Sequence, residues 1–112
     1  MDYEFEMEWK STMAKLEAQF GGGLDLDGIL LLIGVQELGQ GPRKFKKDEK
    51  IELFHVAICT LLQEYGYYEF VGRDEDDWPH FKRVKELPNL NASEQELMMK
   101  KAVVKYVASA FN

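Results

Sequence analysis

The segment Asp25-Leu26-Asp27-Gly28-Ile29-Leu30-Leu31-Leu32-Ile33-Gly34-Val35-Gln36-Glu37-Leu38 reads as a helix that is apolar on almost every side. A helix of that kind belongs in the interior of a fold, so it is expected to be the second helix and the central buried element. Asp25 or Asp27 caps its start, because a short side-chain oxygen accepts the orphan N–H groups of a first turn. Gly39-Gln40-Gly41-Pro42 breaks it. Its longest apolar run, Ile29 to Ile33 and on to Val35 across Gly34, is far too short to cross a bilayer.

Upstream, Phe5, Trp9, Met13, Leu16 and Phe20 recur at steps of three and four, which predicts a helix over residues 5–20. Tyr3, Phe5, Met7 and Trp9 also alternate with glutamates, a strand pattern. The helical period is preferred because it continues to Phe20, whereas the alternation stops at Trp9. Gly21-Gly22-Gly23 ends the helix.

Downstream comes a basic connector, Arg43-Lys44-Phe45-Lys46-Lys47. Asp48 is expected to cap a third helix, running to about Tyr65 with Gly66 as its stop. Ile51, Phe54, Ile58, Leu61 or Leu62, and Tyr65 form its expected core face. Tyr67, Tyr68, Phe70 and Val71 favour strand, Gly72 to Asp77 reads as a polar turn, and Trp78 to Val84 as the returning strand of a β-hairpin. After Pro88, Asn91 or Ser93 opens the last helix, and Ser93-Glu94-Gln95-Glu96 fits a capping box. Leu97, Val104, Ala108 and Phe111 line its face, with Val103 and Val107 beside it. The expected fold is mainly α: one domain over residues 1–112, with four helices and a β-hairpin between the third and fourth.

The 112 residues carry a net charge of -6, with 46% hydrophobic and 30% charged residues. Such a chain has enough apolar surface for a core. Its acidity argues against general binding to nucleic acid or anionic membranes, which needs net positive surface. The single cysteine, Cys59, excludes an intrachain disulfide and a Cys-rich zinc site. The acidic start, Met1-Asp2-Tyr3-Glu4-Phe5-Glu6, is unlike a signal peptide, so a cytoplasmic protein is expected.

Several groups of residues carry chemistry. The glycine-rich run Gly21 to Gly28 precedes a helix but lacks a Gly-Lys-Ser/Thr ending, and its aspartates would repel a phosphate. As a calcium loop it would put Gly23 and Gly34 where carboxylates are needed. Asp74-Glu75-Asp76-Asp77 is the densest charge cluster, read as a solvated hairpin tip in preference to a cation site. His55 and Cys59, four apart on one helix, share a face; they read as a packed cysteine and a hydrogen-bonded core histidine rather than a nucleophile or metal pair. Arg43, Lys44, Lys46 and Lys47 are the only positive strip, suited to an anion or an acidic partner, or to balancing Asp74–Asp77. Six of the fourteen aromatics lie within residues 65–81. That is more than one strand pair buries on one face, and Tyr67, Tyr68, Phe70, Trp78 and Phe81 are therefore the expected interaction surface.

Three function classes follow. A winged-helix-like, DNA-associated domain would present Asp48, Glu49, Glu52, Glu64 and the acidic tip to phosphates, which opposes it. A small metal- or carboxylate-dependent enzyme finds no recognisable motif among two histidines, one cysteine and few serines. The preferred expectation is a non-enzymatic protein-interaction module or homodimer acting through the aromatic hairpin, with no catalytic residue, metal or cofactor and no membrane partner. Finally, Leu32-Ile33-Gly34-Val35-Gln36-Glu37-Leu38-Gly39-Gln40-Gly41 with Lys46-Lys47-Asp48-Glu49-Lys50, and Tyr67-Tyr68-Glu69-Phe70 with the acidic turn and Trp78-Pro79-His80, resembles a small family of uncharacterised bacterial proteins. The likeness spans residues 24–88. It implies a free-standing bacterial cytoplasmic protein and brings no activity, ligand or catalytic residue with it.

Overall fold

The computed structural model describes residues 3–111. They form α1 (Tyr3–Phe20), α2 (Leu26–Leu38), α3 (Lys47–Gln63), β1 (Tyr68–Arg73), β2 (Pro79–Arg83) and α4 (Ala92–Ala110). The four helices and the hairpin between the third and fourth are as the sequence predicts. The described residues divide into two compact units: one holds α1 and α4, the other is the continuous segment Leu26–Pro88.

In the continuous unit, α2 packs on α3, and the two strands pack on α3. Gly34 makes the helix contact possible. A Cβ there would sit 2.9 Å from the carbonyl carbon of Leu53 and overlap its oxygen, so only hydrogen lets the two backbones approach this closely. That approach fixes which side of α3 is inward. Leu53, Val56, Ala57 and Leu61 are buried, while Ile51 is 59% exposed and Phe54 and Ile58 are half-buried. The expected face through Ile51, Phe54 and Ile58 is thus rotated by about one residue. Both sets repeat with a helical period, and the backbone contact at Leu53 selects between them.

The start of α3 also differs from expectation. Asp48 lies inside the first turn and Lys46 is the N-cap residue. Its N–H donates to Glu49 Oε1 at 2.9 Å, so a carboxylate three residues in satisfies the orphan donor. At the other end Gly66 has φ 82°, the left-handed conformation that lets the chain leave the helix. The N–H groups of Gly66 and Tyr67 then return to the carbonyls of Gln63 and Leu62.

In the other unit α1 is helical from Tyr3, which settles the helix–strand conflict over residues 3–9. α1 and α4 run in the same direction. Phe5 and Trp9 share a hollow of about 350 Å³ with Ser93, Leu97 and Lys100 at one end, and Phe20 meets Phe111 edge-on at 5.6 Å at the other. Lys100 and Lys101 lie over the Trp9 and Phe5 rings at 5.3 and 5.7 Å, at the outer limit of a cation–π contact. Leu16, Ala102, Val103 and Val107 are buried, with Thr12 the one buried polar residue described. Of the predicted α4 face, Leu97 and Ala108 are exposed while Val104 and Phe111 are half-buried, and the neighbouring Ala102, Val103 and Val107 are the buried residues. Asn91, not Ser93, caps α4: Asn91 Oδ1 accepts from Glu94 N–H at 2.9 Å and Glu94 Oε1 from Asn91 N–H at 3.0 Å. The box is real but starts two residues earlier than the Ser93 reading.

Candidate functional site

The hairpin carries most of the residues singled out from sequence. Tyr68 pairs with Arg83, Glu69 with Lys82 and Phe70 with Phe81; after an irregularity at Val71, Gly72 pairs with His80 and Arg73 with Pro79. The extra residue shifts the alternation so that Arg73 and Pro79 share a face with Phe70 and Phe81. Strand β1 consequently runs two residues further than expected, and the turn is Asp74–Trp78.

That turn is built around one carboxylate. Asp74 Oδ1 accepts from the N–H groups of Asp76 and Trp78 at 2.9 and 3.0 Å, and Oδ2 lies 2.8 Å from His80 Nε2. The hydrogen bond from His80, then those from the two backbone amides, hold the Asp74 carboxyl below the usual aspartate range. Asp77 adopts a left-handed conformation, φ 67°, which aspartate tolerates better than most residues. The acidic cluster is therefore a hydrogen-bonded turn. Among the described residues no three His, Cys, Asp or Glu side chains converge as a metal would require.

Arg73, which the sequence reading left inside the polar turn, ties the hairpin to α2. Its Nη2 donates to Glu37 O at 2.8 Å, and its Nη1 donates to Leu38 O at 3.0 Å and to Asp77 O at 2.8 Å. Glu37 and Leu38 end α2, whose last carbonyls have no partner inside the helix. A planar guanidinium can serve both a helix end and the turn at once. Gln40 adds a second tie, donating from Nε2 to Asp76 O at 3.1 Å.

The same Gln40 accepts through Oε1 from Arg43 Nε and Nη2 at 3.3 and 3.2 Å. Arg43 also pairs with Glu49 Oε2 at 3.0 Å and stacks over Phe45 at 4.2 Å. Its hydrogen bond keeps the Glu49 carboxyl below the ordinary glutamate range. Arg43 is thus spent on the connector's own geometry, whereas Lys44, Lys46 and Lys47 are exposed. The link from the basic connector to the acidic turn is the neutral amide of Gln40 to a backbone carbonyl.

The aromatic residues separate. Tyr67, Tyr68, Trp78 and Phe81 are half-buried, and Lys85 covers the Tyr67 ring at 4.9 Å. Phe70 is 45% exposed and meets Phe81 edge-on, with centroids 5.7 Å apart. The two rings border an open hollow of about 300 Å³, completed by Pro79, Arg73, Glu37 and Gln63. Glu37, Gln63, Arg73 and Pro79 were not foreseen as part of this surface, because they come from the ends of three elements.

His55 and Cys59 do come together, with His55 Nε2 3.5 Å from Cys59 Sγ. Cys59 is wholly buried, and that burial pushes its thiol up to about 11, so it stays protonated at neutral pH. His55 is exposed, which corrects its reading as a core histidine: it lies on the outer side of α3 and only its ring reaches back to the sulfur.

No helix among the described residues is long and apolar enough to cross a membrane. Comparison of the chain with protein-family models, curated proteins and solved structures finds no match.

Proposed function

We propose that the chain is a protein-interaction module whose docking face is the Phe70–Phe81 end of the hairpin. The observation that carries this reading is a large aromatic left 45% exposed beside a hollow of about 300 Å³, on a hairpin held rigid by Arg73, Asp74 and Gln40. A preorganised surface loses little entropy on binding, and exposed aromatics are common anchors of interfaces. The partner is a protein that inserts one apolar side chain between Phe70, Phe81 and Pro79. The buried, protonated Cys59 and the internally used Asp74 and Arg43 leave the hairpin chemistry supporting binding rather than turnover. The carboxylates of the tip and of α3 weigh against nucleic acid as the partner. Membership of the bacterial family that residues 24–88 resemble belongs to the same proposal.

The test is co-purification of the tagged full chain from its native cells, followed by titration of the purified partner. Phe70→Glu is compared with Ile51→Glu, which alters a still more exposed apolar side chain on α3. A partner whose affinity falls at least about tenfold for Phe70→Glu and not for Ile51→Glu supports the reading, since an anchor is worth more than 1.4 kcal/mol. Equal affinity for both variants overturns it.

A further inference from the structure

The hollow beside Phe70 is not lined by apolar groups alone: Arg73 and Gln63 border it together with Phe70, Phe81 and Pro79. A guanidinium carries five N–H donors. Three of those on Arg73 are taken, one from Nη2 by Glu37 O and two from Nη1 by Leu38 O and Asp77 O. Glu37 O and Leu38 O are successive carbonyls, gripped across the Nη1–Nη2 end of the group. The Nε–H and the second Nη2–H have no acceptor among the described residues, and 36% of the side chain is exposed. These two donors lie side by side along one edge, the fork that a carboxylate fits with both oxygens. Asp77 Oδ2, 3.9 Å from Nη1, stands on the opposite flank.

Resting on the docking face proposed above, we infer that the hollow takes the C-terminal residue of a partner chain. Its carboxylate meets the unused edge of Arg73, and its apolar side chain lies against Phe70, Phe81 and Pro79. Both requirements fall on one residue, because at a chain end the carboxylate and the side chain leave the same carbon. About 300 Å³ is the lower end for a ligand site, room for one residue rather than a segment. Arg73 is already fixed by its three hydrogen bonds, so little side-chain freedom is lost on binding. Charge narrows the anion: Glu37 beside the hollow and the carboxylates of Asp74 to Asp77 oppose a dianion such as phosphate, and a single carboxylate on a guanidinium remains. The neutral amide of Gln63 supplies a further donor on the same rim.

The probes are N-acetylated Gly-Ser-Gly-Ser-Leu and Gly-Ser-Gly-Ser-Phe, each with a free and with an amidated C-terminus. They are titrated into the full chain to about 5 mM, enough to saturate a site of millimolar affinity. The backbone amides and the Arg73 Nε–H are followed by NMR. The free acids are expected to shift Phe70, Phe81 and Arg73 Nε–H saturably, and the amides to bind at least tenfold more weakly. Gln63→Glu, which sets a like charge on the rim and leaves the ties of Arg73 in place, should weaken the acids several-fold. Arg73→Lys should also weaken them, with amide dispersion reporting whether the hairpin stays folded. Absence of saturable binding overturns the proposal, as do shifts centred on Lys44, Lys46 and Lys47 or indifference to Gln63→Glu. Equal affinity of acid and amide, lost in both cases with Phe70→Glu, overturns the carboxylate site while leaving the hairpin a docking face, so the two readings fail separately.

Discussion

Gly34 shows how much one missing side chain decides. Its hydrogen lets α2 rest on the Leu53 carbonyl, and an alanine there has backbone, not a flexible tip, in its way. Gly34→Ala is expected to destabilise the chain by about 2–3 kcal/mol, at the upper end for overpacking a core, read as a lower urea midpoint at unchanged slope. Asp74 acts through charge and acceptors. Its folded pKa is depressed, so its contribution is complete above the unfolded value near 3.9 and is lost as pH falls through the lower folded value. The stability advantage of the natural chain over Asp74→Asn should therefore shrink as the pH falls below about 4. A difference that grows with acidification below that pH would contradict this account of the turn.

At the scale of elements, the hairpin is too small to persist alone, since two strands are marginal in water. It is held by packing on α3 and by Arg73 on the end of α2. Arg73→Ala should speed amide exchange across β1 and β2 about tenfold or more, the effect of losing hydrogen bonds from a charged donor. Arg73→Lys should rescue little, because a single ammonium cannot span two helix carbonyls and the turn. The strongest element signals in the sequence were the all-round apolarity of α2, the glycine stops and the strand-forming run from Tyr67 to Val71. The caps were legible as types but not as positions. Lys46 became the N-cap of α3 through Glu49, and of the two openings expected for α4 it is Asn91 that caps, because a cap depends on where the first turn closes and several polar residues there compete.

For the whole molecule, the two units differ in how far apart their partners lie along the chain. Residues 26–88 meet mainly neighbours in sequence: α2 with α3, β1 with β2. α1 and α4 meet across some seventy residues, a contact that costs loop-closure entropy. A fragment spanning residues 24–88 should therefore keep the Phe70–Phe81 cross-strand contact and the buried Cys59, seen as retained amide dispersion and slow thiol labelling. A collapsed spectrum with rapid labelling would show that this unit depends on the rest of the chain.

The class of fold, the order of its elements and the wealth of aromatics in the hairpin were determined by local pattern alone, because periodicity, glycine stops and strand-forming runs act over a few residues. The inward face of α3, the exposure of Leu97 and of His55, and the hollow beside Phe70 were not. Each depends on which of two equally periodic faces meets a neighbour, and for α3 a single close approach, Gly34 on Leu53, makes that choice. The grip of Arg73 on Glu37 and Leu38 likewise joins residues about 35 apart. A carbonyl at a helix end has no residue type to mark it, so only the tertiary structure brings donor and acceptor together.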